Sequence, residues 1–249
     1  VKLVIDPLFE ADFCPCSYGF RPKRTPRMAL GAITKSLQAG STYVVDVDLK
    51  CYFDTIDHDL LMALVGRRVG DERILRLIRA WLKAGVMEEG KVRHPNRGSP
   101  QGGVISPVLS NIVLHEVDRQ WCTRDGQANP SAHLVRYADD MVLLANTADA
   151  AQQAWERLQR QFAQLRLVVN EEKSRVTTLD DGFAFLGFEF RRRQGRIYLW
   201  PRMKARKSIM ERVRQKVRSF RSSEPLAVVI RVLNPVLSGW CTYFRVGHS

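Results

Sequence analysis

Residues 133–145, HLVRYADDMVLLA, set two adjacent aspartates between two apolar runs. Apolar runs of this length, interrupted only by a polar pair, predict two antiparallel strands joined by a tight turn, with Asp139 and Asp140 at the tip. On its own the pair reads first as an ordinary polar turn, with a metal-binding sheet edge as the alternative. A second segment bears on the choice. In STYVVDVDL, residues 41–49, alternation sends Asp46 and Asp48 to one face of a strand and Val45 and Val47 to the other. If that strand lies beside the hairpin, a third carboxylate joins the pair. Converging carboxylates repel one another unless a cation holds them. Hard oxygen ligands with open positions suit Mg2+ bound together with substrate phosphates, and two such ions suit attack by a 3′-hydroxyl with pyrophosphate leaving.

The remaining pattern predicts an α+β fold. DHDLLMALVGRRVG and DERILRLIRAWLKAG each open on Asp at a helix-capping position, and Ile74, Leu75, Ile78 and Leu82 form an apolar stripe on the second. GVMEEGKVRHPNRG reads as a short hairpin, and Ser106 before Pro107 as a capped helix start running to about Trp121. Thr147 is placed to cap a helix bearing Ala151, Trp155, Leu158, Phe162 and Leu165 on one face. LRLVVN, SRVTTL, FAFLGFEF and RIYLW read as short strands. After Pro201 a helix is expected, with Met210, Val213, Val217 and Phe220 packed and its basic side chains outward.

Charge divides the chain. Residues 1–190 carry 24 Lys and Arg against 24 Asp and Glu, whereas residues 191–249 carry 15 against 2, so the whole net charge of +13 lies in the last quarter. A basic module joined to a neutral one suits a polyanion held by the tail, with Arg212, Arg214 and Arg218 on the gripping helix. The five cysteines are scattered, with no zinc-site spacing, and read as reduced thiols. No uninterrupted apolar run approaches a membrane span, so no membrane partner is expected and the default location is the cytoplasm. The valine start and the apolar, aromatic last residues suggest a piece of a longer protein.

Taken in order, SYGFRPKRT, VVDVDLKCYFDTIDHDLL, RGSPQGGVISPVLSNIVLHEVD, RYADD, NEEKS and FLGF resemble the successive blocks of bacterial group II intron reverse transcriptases, or maturases. LNPVLSGWCTYFR is similar to the start of their thumb or maturase domain. The resemblance implies a right-handed polymerase palm, with partial fingers over residues 1–40, palm over 41–195 and the basic beginning of the thumb over 196–249. It implies an RNA-directed DNA polymerase using two Mg2+ ions, an RNA template, a DNA primer and deoxynucleoside triphosphates, and also binding intron RNA for splicing and mobility. By that resemblance Asp48 and Asp139 are the catalytic metal aspartates, Asp140 is grouped with them, and Leu49 offers a backbone carbonyl to the second ion. Asp46 is the positional rival to Asp48. Phe53 falls where a bulky aromatic excludes a ribose 2′-hydroxyl, Gln101 beside the incoming nucleotide and Lys173 near its triphosphate. Arg21 and Arg24 are template or structural contacts. Two other readings stand beside this one: an RNA-binding splicing factor with an idle polymerase site, and a reverse transcriptase associated with CRISPR adaptation proteins.

Overall fold

A computed structural model describes residues 1–83, 98, 103–122, 132–221 and 224–247 in full, and the backbone of 86–88 and 91–93. Its helices are α1 (Lys2–Glu10), α2 (Pro26–Gln38), α3 (Tyr52–Thr55), α4 (His58–Gly66), α5 (Glu72–Lys83), α6 (Ser106–Asp118), α7 (Ala148–Gln164), α8 (Met203–Arg218) and α9 (Leu226–Phe244). Its strands are β1 (Tyr43–Val47), β2 (Val86–Glu88), β3 (Lys91–Arg93), β4 (His133–Tyr137), β5 (Asp140–Ala145), β6 (Arg175–Thr178), β7 (Phe183–Phe185), β8 (Phe188–Arg193) and β9 (Arg196–Pro201). The mixture is α+β, and the chain divides into two compact units, residues 1–177 and 178–249. The composition change near residue 196 therefore lies within the second unit.

The first unit is built on a sheet of order β4-β5-β1-β6, in which β4 and β1 both pair antiparallel with β5. Val45 pairs with Leu143, and Leu143 with Leu134, so these three share one face. That face packs on α7, whose Ala151, Ala154, Leu158 and Phe162 are buried in the same core, together with Leu109, Val113 and Val117 of α6. The opposite face carries Val44, Val142 and Leu144 under α2 at the β4 side, and it also carries Asp46, opposite Val142. A central strand covered on part of both faces explains why Val44, on the acids' side, is fully buried.

Several helix starts follow the capping chemistry of the sequence. Asp57 accepts from the amides of Asp59 and Leu60, and Thr147 from that of Ala150. Two expectations change. Ile105, not Ser106, occupies the cap of α6, and Ser106 lies inside the helix. LRLVVN contributes a single antiparallel bridge, Val169 to Leu49, in place of a strand.

The second unit is the three-stranded sheet β7-β8-β9 followed by α8 and α9. Its two hairpin turns, Leu186–Gly187 and Gln194–Gly195, have positive φ at both central positions, the geometry that matches strand twist. Phe183, Phe188 and Phe190 are buried, and Phe188 packs on Phe244 of α9 with ring centroids 4.9 Å apart. The expected packed face of α8 is a correction: Met210 and Val217 are about half exposed, and no residue of the helix is buried within the unit. By length and composition alone, α9 is apolar enough to cross a membrane. An uninterrupted-run criterion misses it because Arg231 breaks the run.

Candidate active site

The β4–β5 hairpin closes on the pair Tyr137 and Asp140, leaving Ala138 and Asp139 as the two turn residues. Ala138 has φ 57, a left-handed value that glycine usually supplies at this turn position. Asp139 therefore projects from the tip and Asp140 begins β5. On the neighbouring strand Val47 pairs with Met141, so the next residue, Asp48, follows β1 to the level of Asp140.

Proximity of the three acids is registered electrostatically. Asp140 is exposed by area, yet protein atoms crowd its carboxyl, and this loss of solvent, followed by the charges of Asp139 and Asp48, pushes its pKa up to about 6. A divalent cation would relieve that repulsion, and the donor set, carboxylate oxygens open to solvent, suits a hard ion completed by phosphate oxygens. Among the described residues no three acidic, histidine or cysteine side chains are grouped closely enough to hold an ion unaided.

The repulsion gives a prediction for the metal-free protein. The folded state holds the Asp140 proton up to about pH 6, whereas an unfolded aspartate releases it near 3.9. The folded chain thus binds more protons between those values, and stability falls as pH rises through them. Replacing Asp140 with Asn should leave stability unchanged below pH 4 and raise it by roughly 1 kcal/mol at pH 7, a figure discounted for solvent exposure. Urea midpoints of the two proteins at pH 3.5 and 7 check this.

Asp48 is held by the turn that follows Val169. Asn170 Nδ2 donates to its Oδ2 at 3.0 Å, and Lys173 Nζ lies 3.4 Å from the same oxygen. Ser174 Oγ accepts from the Asp48 amide at 3.0 Å and donates to its carbonyl at 3.2 Å, while the Asn170 amide donates to that carbonyl at 2.9 Å. Asp48 and Lys50 use their backbone groups towards this turn, so alternation directs the Leu49 carbonyl to the other edge, the side of β5. Phe53 is half-buried, edge-on to Tyr52 with centroids 5.5 Å apart, and Tyr52 is buried and donates to the Ser110 carbonyl.

The other expected residues divide. Gln101 lies outside the described residues, but Gly98 of the same block is fixed beneath α3 and α4: its amide donates to the Ile56 carbonyl, and its carbonyl takes a hydrogen bond from His58 Nε2. Arg21 is committed to the fold: of the two roles expected, template contact or structural contact, it holds the structural one, which corrects its place among the nucleic-acid contacts. The residue is 8% exposed, its guanidinium paired with Glu10 and donating to the carbonyls of Cys14 and Ser17. Arg24 is half-buried over the Tyr18 ring, at 5.4 Å. Arg212, Arg214 and Arg218 are exposed on α8, with Arg214 within 3.8 Å of Glu211. Sequence reasoning missed Asn170 and Ser174, although both lie in the NEEKS block it singled out. It also missed Asn111, Asp118 and the buried Arg136. An Asn or Asp inside a helix that is otherwise apolar was the available signal.

Comparison with known proteins gives the family and the fold. Residues 1–190 match the family described as reverse transcriptase (RNA-dependent DNA polymerase), and residues 206–249 match the group II intron maturase-specific domain. Protein YkfC of Escherichia coli is 33% identical over 271 residues, covering 95% of this chain and 70% of that protein. The group II intron-encoded protein LtrA of Lactococcus lactis is 25% identical over 338 residues, covering all of this chain and 56% of LtrA. Among solved structures, apo telomerase from Candida tropicalis superposes with a TM-score of 0.61 over 97% of this chain and 49% of that one. At 12% identity this likeness shows the fold alone.

Proposed function

The chain belongs to the reverse transcriptases of group II intron type, and from that premise we propose that it forms the catalytic core of an RNA-directed DNA polymerase. The observation that carries the reading is the register that brings Asp48 level with Asp140, next to Asp139, at the end of the β5–β1 pair, where loss of solvent and then the charges of Asp139 and Asp48 push the Asp140 carboxyl up to about 6. Family membership implies use of a divalent metal and binding of RNA.

In the proposed assignment Asp48, Asp139 and the Leu49 carbonyl hold two Mg2+ ions, with Asp140 beside them. When bound, the ions supply a lowered pKa for the primer 3′-hydroxyl and charge neutralisation for the leaving pyrophosphate. Lys173, 67% exposed on a side chain already beside Asp48, has the reach to hold triphosphate oxygens. Phe53 presents an aromatic face to the sugar and disfavours a ribose 2′-hydroxyl by steric conflict. Residues 1–40 serve as partial fingers, 41–195 as palm and 196–249 as the start of a basic thumb. RNA template and intron RNA lie along the basic tail, DNA primer and deoxynucleoside triphosphates at the acids.

Primer extension on an RNA template with deoxynucleotides and Mg2+, beside an Asp139→Asn control, tests the reading. Extension that disappears in the control supports it. Tight RNA binding with no extension would transfer the assignment to a splicing factor with an idle site.

The tail has its own test. Reversing charge at Arg212, Arg214 and Arg218 should weaken binding to every RNA sequence alike and flatten the dependence of log K on log salt by about 2 to 3, near 0.7 to 0.9 for each phosphate no longer neutralised. An unchanged slope would remove α8 from the RNA surface.

A further inference from the structure

Three positions before Asp139, a fully enclosed arginine connects the catalytic hairpin to the rest of the first unit. Arg136 has no solvent exposure. Its Nε and Nη2 donate to the two carboxylate oxygens of Asp118 on α6, at 2.8 and 2.5 Å. The remaining nitrogen, Nη1, donates to Asn111 Oδ1 at 2.9 Å and to the Ala138 carbonyl at 2.8 Å. Asn111 Nδ2 in turn donates to the Gly19 carbonyl at 2.9 Å.

The backbone closes the same knot. Arg136 donates its amide to the Cys16 carbonyl at 2.9 Å and accepts from the Tyr18 amide at 2.8 Å. Gly19 lies so close to the turn that an added Cβ would come within 2.2 Å of the Ala138 nitrogen. Helix α6, the segment 16–19 and strand β4 thus meet at Arg136, whose guanidinium reaches the Ala138 carbonyl, while Gly19 lies against the Tyr137–Ala138 peptide just before it. Ala138 holds a left-handed φ of 57 without being glycine, a conformation that persists only where its surroundings over-determine it.

Burying a charged pair is a poor device for stability alone, because well-packed apolar residues of similar volume do as well or better. Such a pair is useful where one geometry must be fixed. Lysine could face Asp118 with the same charge, but only a guanidinium presents enough donors in one plane to hold Asp118, Asn111 and a backbone carbonyl together.

We propose that Arg136 is a positioning residue for the polymerase reaction: its guanidinium pins the Ala138 carbonyl and so sets the angle at which Asp139 meets the metal, with Asp118 and Asn111 locating the guanidinium. The proposal rests on the assignment of Asp139 as a metal ligand.

The test compares Arg136→Lys and Asn111→Ala with the unaltered chain. Three quantities are read: Mn2+ affinity by electron paramagnetic resonance, amide exchange over residues 134–144, and kcat and KM for deoxynucleotide in primer extension. Arg136→Lys should lower kcat about 10- to 100-fold, since a displacement near 1 Å at reacting groups costs that much. KM should change less than about 3-fold, Mn2+ binding should weaken about 10-fold, and hairpin amides should exchange faster while those of α7 do not. Asn111→Ala leaves no stranded charge and should move the same readouts in the same direction by less, which keeps the test available if Arg136→Lys folds poorly.

Unchanged Mn2+ affinity and unchanged kcat per folded molecule in both variants would overturn the proposal and leave Arg136 a structural residue. An unaltered chain that binds Mn2+ but extends no primer would sink the polymerase reading alone. Mn2+ affinity and hairpin exchange would then still decide the role of Arg136.

Discussion

Replacing Asp48 with asparagine is expected to abolish primer extension, by about 10^3-fold or more, while leaving the first unit folded and at least as stable. The loss follows from removing an anionic oxygen that holds a metal ion, a change worth several kcal/mol at the transition state, with about 1.4 kcal/mol per factor of ten. Folding should survive because asparagine has the same shape, and the hydrogen bonds that locate residue 48 are largely made to its backbone, by Ser174 Oγ and the Asn170 amide. Stability should hold or rise, since one of the two charges that add to loss of solvent in raising the Asp140 carboxyl is gone. Asn170→Ala keeps the acid and loses only its 3.0 Å hydrogen bond, so a partial loss of rate, roughly 10-fold, is expected. Asp46 supplies the discriminating control. It lies on the same face of β1 but opposite Val142, two residues deeper in the sheet than Asp48. Asp46→Asn should therefore extend primers at near the unaltered rate. Full activity in Asp48→Asn together with loss in Asp46→Asn would exchange the two assignments.

The parts legible in the sequence were those written in local periodicity. The hairpin around Asp139 and Asp140, the alternation of β1 and the caps Asp57 and Thr147 depend on residues within a few positions of one another, and all formed, with the turn one residue earlier than expected, at Ala138 and Asp139, so that Asp140 begins β5. Adjacency of β1 to β5 was not written there. It was supplied by family resemblance and is seen in the pairing of Val47 with Met141. What sequence reasoning lost were partners far apart in the chain. Arg136 and Asp118 are 18 positions apart, and Asn170 and Asp48 are 122 apart. No local rule joins such residues. Arg21 shows the same limit from another side: the sequence left template contact and structural contact both open for it, and four carbonyl and carboxylate partners along residues 10–17 enclose it. The failure at α8 is of another kind, because helical periodicity shows which face is apolar and not whether anything covers it within the same unit.

Removing Asp118 should produce the largest stability loss of any single substitution in the first unit. Asp118 and Arg136 have no solvent exposure, and two parallel hydrogen bonds join them. Burial works against the guanidinium's charge, but the facing carboxylate outweighs it and keeps the group protonated. In Asp118→Ala the cation would remain enclosed with only the Asn111 and Ala138 oxygens to accept from it. Breaking a buried pair from one side costs about 3–5 kcal/mol, a large part of the 5–15 kcal/mol that holds a domain together. For a unit of this size the melting temperature should fall by roughly 10 °C. Removing both partners separates stability from position. Asp118→Leu with Arg136→Met strands no charge and should recover part of the loss, held short of full recovery by the Asn111 and Ala138 oxygens, each left without its donor. If Arg136 serves only to stabilise, polymerase rate should recover in step with melting temperature. If it positions Asp139, the double variant should melt well above Asp118→Ala and still extend primers at the reduced rate expected of Arg136→Lys or below it, because nothing then holds the Ala138 carbonyl.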